Sequence, residues 1–202
     1  MSEDRSRQLQ AVAHNIGMRF EEEDPWGFDR LLSEFQLFKR GRHRKYFHLM
    51  RSQDDLMETD VRIFDYHFVT GSSNSRKTHL QTVFFIQSKK LGLPHFLMKP
   101  ERFFHRLGTY LGMQDIDFEA FPKFSDQYLL QGKDEDYIRA SFKNEVLHFF
   151  SLQKGWSLEG LNYYLIFYKK DQLLLPSTIA DFYKKGMTLH RMLQTRLPDI
   201  EL

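Results

Sequence analysis

The chain reads as an α+β protein: an antiparallel β-sheet of about five to seven strands with several helices packed on it, in a single domain. Three observations predict this. From 45 to 99 the sequence is a succession of apolar and aromatic runs broken by short polar turns. On either side of that stretch, apolar residues recur at helical spacing. The length of 202 residues, with 41% hydrophobic and 28% charged residues, suits one globular unit with its own core. Three parts are expected within it: a helical part over 1–44, a β-meander over 45–99, and helices with a hairpin over 100–202.

The first helix is expected from Glu3 to Ile16, with Leu9, Val12, Ala13 and Ile16 on one face and Gly17 as its C-cap. A short strand follows over Met18–Glu22. Asp24 and Pro25 then suit an N-cap and a first helical position. The helix they open would carry Phe28, Leu31, Leu32, Phe35 and Phe38. In the meander, Lys45–Ser52 alternates Tyr46, His48 and Met50 against Phe47, Leu49 and Arg51. Leu56–Thr70 is apolar on both faces, as a central strand covered on both sides would be. Gly71–Ser75 is a turn, Thr78–Ser88 returns, and His95–Lys99 is the fourth strand of the meander.

After the meander, Pro100 is expected to open a helix ending near Gly112, and Asp115–Lys123 to be irregular. Phe124–Gln131 is expected to be extended. Asp134, Glu135 and Asp136 favour the start of a helix running through Phe149 toward Gly155. Trp156–Glu159 and Asn162–Lys169 suit a hairpin turning at Gly160, and a last helix should occupy Thr178–Leu197.

Composition excludes several functions. There is no cysteine, so no disulfide scaffold, thiolate metal site or cysteine nucleophile can form. A reducing cytoplasm suits such a chain. No apolar run approaches a membrane span, and the polar start is not a signal sequence. The net charge of +2 makes no general case for nucleic acid. Nucleophile-elbow, zinc-protease and dinucleotide-binding spacings are all missing. No cofactor is called for.

Four constellations remain. Lys39, Arg40, Arg42, Arg44 and Lys45 place five permanent cations in seven residues. They suit an anionic lipid surface or a protein partner, with nucleic acid ranked below both. The plain alternative is a solvated loop pairing with Glu21, Glu22, Glu23 and Asp24. Asp65 and His67 share a strand face, where with Asp60 or His79 they could form an acid–base pair or part of a metal site; the plain alternative is structural pairing. Asp115, Asp117 and Glu119 alternate, as for a hard cation or for an ordinary amphipathic edge. Gly71–Ser75, followed by Arg76 and Lys77, could receive an anion or be only a hairpin tip.

Several phrases recur together in a fixed order: Phe64-Asp65-Tyr66, the serine-rich loop, Gln81-Thr82-Val83, and Asp115-Ile116-Asp117-Phe118. Phe124 through Gly132 and Trp156 through Gly160 follow. This order, over 60–170, resembles a group of uncharacterised bacterial α+β domains, in which other members are often attached to membrane segments. The resemblance implies the same fold class and no particular activity.

The expectation is therefore a non-catalytic binding or regulatory module, cytoplasmic or peripheral to a membrane. It would contact a protein partner, a second copy of itself or an anionic lipid surface. The alternative is a metal- or carboxylate-dependent enzyme using Asp65, His67 and Asp117.

Overall fold

The computed structural model describes residues 3–23, 29–54, 59–101 and 115–195. Eight strands form one antiparallel sheet: β1 (Arg19–Glu23), β2 (Arg42–Asp54), β3 (Thr59–Thr70), β4 (Lys77–Ser88), β5 (Leu93–Pro100), β6 (Tyr128–Gly132), β7 (Ser157–Asn162) and β8 (Tyr164–Tyr168). Their order across the sheet is β1-β2-β3-β4-β8-β7-β5-β6. The fold class is as the sequence predicts, with one strand beyond the expected range.

The helices are α1 (Glu3–Asn15), α2 (Asp29–Leu32), α3 (Gln36–Lys39), α4 (Pro122–Ser125), α5 (Glu135–Ser141), α6 (Asn144–Leu152) and α7 (Ile179–Leu193). α1 ends at Gly17 as expected, with the Met18 N–H donating back to the Ala13 carbonyl. The sheet has an apolar layer on each face. One contains Ile63, Phe84, Phe96, Leu158 and Phe167 and packs against α1 and α4 to α7. The other contains Phe64, Tyr66, Phe68, Phe85 and Ile166 and receives Leu32, Phe35, Leu37 and Phe38 from the α2–α3 segment. β3 is buried along both faces because it lies between these layers.

Several expectations need correction. The fourth strand of the meander does not follow the third in space: the β7–β8 hairpin lies between β4 and β5. Pro100 ends β5 instead of opening a helix, and the rest of that expected helix, 102–114, lies outside the described residues. The expected Pro25 helix start also lies outside them, and its continuation is two short helices. The helix expected from Asp134 toward Gly155 is divided into α5 and α6, with Phe142 as the C-cap of the first. The hairpin turns at Asn162 and Tyr163. Gly160 lies within β7, because a Cβ there would enter the Phe96 ring.

The simple alternation in β2 also fails. Its register to β3 slips between Phe47 and Met50, where His48 adopts a left-handed φ of 54°. This bulge puts Tyr46 and Leu49 on one face and Met50 on the other. A second slip, between Arg42 and Lys45, bends the basic run itself.

Candidate functional site

The antiparallel pairing brings the start of β2, the end of β3 and the start of β4 together. The start of β2 lies beside the end of β3, since Arg42 pairs with Val69 and Lys45 with His67. Thr70 at the end of β3 pairs with Lys77 at the start of β4. Farther across, Tyr168 pairs with Val83 and Ser157, and Met98 pairs with Leu158. The cations of 40–45 and 76–77 therefore share one end of the sheet, whereas Lys99 and 169–170 lie near the level of Val83, six positions farther along β4.

The basic run is part turn and part strand, not a free loop. Gly41 makes the turn from α3 into β2 with φ of 68°, and a Cβ there would sit 2.6 Å from both the Phe68 ring and the Val69 carbonyl. This close approach presses the run against the end of β3. Lys39 lies 3.9 Å from Glu34, and Arg44 donates to the Gly41 carbonyl. Arg42, Arg44 and Lys45 are exposed, and none forms an ion pair among the described residues. The expected pairing with Glu21, Glu22 and Glu23 is therefore not made among the described residues, and Asp24 lies outside them. Glu22 instead accepts a hydrogen bond from Ser6.

The run is positioned by a carboxylate that sequence analysis missed. Glu159 of β7 is 2% exposed and lies beneath the N-terminus of α3. Its oxygens accept the backbone N–H groups of Gln36 at 2.6 Å and Leu37 at 3.1 Å, and the Tyr168 hydroxyl at 3.2 Å. Burial drives its carboxyl up to about 7 against these three hydrogen bonds and the pull of Lys39. Its only sequence signal is a charge on a strand buried on both faces.

Arg40, the C-cap of α3, lies at the other end of that short helix. Lys99 of β5, two residues beyond the partner of Glu159, is 6% exposed. Its side chain makes no hydrogen bond or ion pair among the described residues. Burial, then Arg40, depress its ammonium below the ordinary lysine value, while Glu101 and Asp115 oppose this weakly. A separate groove of about 390 Å³ is lined by Pro100, Glu101, Lys154 and Lys169 among others, and by neither Lys99 nor Arg40. Lys169 lies 4.6 Å above the Trp156 ring.

The other candidates are placed apart. Asp65 is 1% exposed. It accepts both Nε and Nη2 of Arg5, at 2.9 and 3.0 Å, the Thr82 hydroxyl at 2.8 Å, and stands 2.9 Å from His48 Nδ1. The His48 bulge aims that imidazole at Asp65. This network ties α1 to the sheet. His67 faces the His43 carbonyl at 3.3 Å, and no hydrogen bond joins it to Asp65. Asp60 pairs with Arg51 and Arg62; burial pushes its carboxyl up, but these two guanidinium groups outweigh that and hold it low.

Asp115 closes the outer edge of β6: it accepts the Leu130 N–H at 2.8 Å, while the Ile116 N–H donates to the Leu130 carbonyl. Burial raises it to about 6 despite that hydrogen bond, with Asp117 and Glu101 adding to the rise. The Asp117 carbonyl accepts Arg139, whose guanidinium lies over Phe118. The hairpin tip carries a further chain: Thr70 Oγ1 lies 2.8 Å from His79 Nε2, and His79 Nδ1 lies 2.6 Å from Asp171, which Lys77 also meets. Phe68 stacks on the His79 ring, so this chain fastens the hairpin to the exit of β8. Among the described residues, no three histidine, aspartate or glutamate side chains gather to hold a metal ion.

No protein-family model matches the chain, and no curated protein matches it. One solved structure does. The fold is similar to that of the mycobacterial trehalose monomycolate transport factor A, TtfA. The likeness has a TM-score of 0.62 at 10% sequence identity, covering 98% of this chain and 100% of that one. The arrangement of helices on one antiparallel sheet is thus shared with TtfA across nearly the whole chain. No described helix is long and apolar enough to cross a membrane.

Proposed function

We propose that the protein is a non-catalytic binding module that docks on an anionic lipid surface through the basic end of its sheet. The observation that carries this reading is the cluster of exposed cations that have no acidic partner among the described residues: Arg42, Arg44 and Lys45 on β2, with Arg76 beside them at the hairpin tip. Cations close to an anionic membrane each contribute about 1 kcal/mol, and the anionic leaflet facing the cytoplasm offers such a surface. The similarity in fold to a trehalose monomycolate transport factor supports binding or transport over catalysis. On this reading the protein is cytoplasmic and peripheral to the membrane.

The test is sedimentation with phosphatidylcholine vesicles, with and without phosphatidylglycerol. Wild-type protein should bind only the anionic vesicles, and less as salt rises. Neutralising Lys39, Arg40, Arg42, Arg44 and Lys45 to glutamine should weaken that binding on the order of 100-fold or more. Equal binding by the two proteins would refute the lipid reading and direct attention to a protein partner or a second copy.

A further inference from the structure

We propose that the groove where β5 ends and β6 begins is a binding site for a small, neutral, polyhydroxylated ligand such as a sugar. This site goes beyond the docking surface and does not depend on it, since neither the run Lys39–Lys45 nor Arg76 lines the groove. Its volume of about 390 Å³ lies within the range of small-molecule sites. Pro100 pairs with Tyr128 at its edge, and the Glu101 N–H donates to the Gln127 carbonyl at 2.9 Å, so Glu101 and Gln127 enter it from adjacent strand ends.

Each of these two residues carries an oxygen in need of a donor. Gln127 Nε2 donates to the Lys123 carbonyl at 2.8 Å and to the Ser151 carbonyl at 3.3 Å. These bonds orient the amide and leave Oε1 as the acceptor. Gln127 Oε1 and Glu101 Oε2 are buried and have no hydrogen-bond partner among the described residues. A buried acceptor without a donor is costly, and a donating ligand offsets that cost. Nothing bonded to Glu101 Oε2 holds it in place, so a rotation of the carboxyl presents it to the groove without breaking a bond at that atom.

The charges of the lining select the ligand. Glu101 and Asp126 bring two carboxyl groups to the groove, and Lys154 and Lys169 bring two ammonium groups. Lys169 is seated 4.6 Å above the Trp156 ring. A phosphate would face both acids, and a free amine would face both lysines. A hydroxyl donates to the oxygens and accepts from the ammonium groups, so a neutral molecule with several hydroxyls suits the whole lining.

The test is a heteronuclear NMR titration of the full-length protein with glucose, maltose and myo-inositol, and with inorganic phosphate and glycine as contrasts. At least one of the three polyols should shift the Gln127 side-chain amide and the Trp156 indole signals saturably, and the two contrasts should not. Glu101→Met removes the unmet acceptor and keeps the length of the side chain, so its melting temperature should equal or exceed that of wild type. Its affinity for that polyol should fall roughly tenfold. Lys154→Met, at an exposed position, should weaken the same polyol severalfold without altering the fold. Saturable shifts from phosphate or glycine alone, no shift from any polyol, or unchanged polyol affinity in both variants would each overturn the proposal.

Discussion

Glu159 shows how one side chain can set the placement of a functional segment. Two backbone N–H groups of α3 converge on its carboxylate, so the α2–α3 segment and the basic run beyond it share an anchor inside the sheet. The sign of its effect on stability follows from its raised value. Between 4.5, its ordinary value, and about 7, the unfolded chain has released the proton while the folded protein keeps it. Stability is therefore lost as pH rises through that window. Asp115, raised to about 6, acts in the same direction, and His190, lowered to about 4, acts in the opposite one. The comparison with Glu159→Gln removes both contributions. The wild type should lose roughly 3 kcal/mol more than the variant across the window, measured by urea unfolding at successive pH values. Parallel pH profiles would show that Glu159 does not titrate there.

At the scale of elements, Asp115 illustrates a residue whose alternating pattern suggested cation binding and whose position shows a different task. β6 is an outer strand, and Leu130 would present an open N–H and C=O to any passing strand. Asp115 and Ile116 satisfy both groups. Asp115→Ala should speed hydrogen exchange at the Leu130 amide by about tenfold or more and leave amides at the centre of β3 unchanged. Exchange at Leu130 equal to that in wild type would mean that the edge is closed by other groups. The outer strand β1, Arg-Phe-Glu-Glu-Glu, needs no such cover because its own charges oppose strand addition. The elements themselves were largely legible. α1, β3, β4 and α7 follow their periodicity, because each has enough consecutive residues for a pattern to repeat. The bulges of β2 and the break between α5 and α6 were not legible, since a single residue with an unusual dihedral angle leaves the surrounding composition unchanged.

Across the whole molecule, the basic end is built by topology. Arg76 lies more than thirty positions from Arg42 in the chain, yet the β3–β4 hairpin returns it to the same end of the sheet. Arg76→Gln should therefore weaken binding to phosphatidylglycerol vesicles severalfold and reduce its dependence on salt, as a substitution within the run would. An unaltered affinity would confine the docking surface to β2. The run Lys39–Lys45 was visible as a cluster because its charges are contiguous. Lys99 was not, because one lysine in an apolar strand resembles any solvent-facing position until its neighbours are known.

The amino-acid sequence by itself determined the class of the fold, the central place of β3, the turn at Gly71–Ser75 and the presence of a concentrated basic segment. Each follows from near neighbours: side-chain alternation, helical spacing, turn chemistry and local charge. Tertiary structure alone decided that the β7–β8 hairpin separates β4 from β5, that Asp65 is bound by Arg5, His48 and Thr82, and that Glu159 lies under α3. It also buried most of Lys99 at the end of β5. These arrangements join residues far apart in the chain, and the burial that sets their charges exists only once the sheet and its two covering layers have assembled.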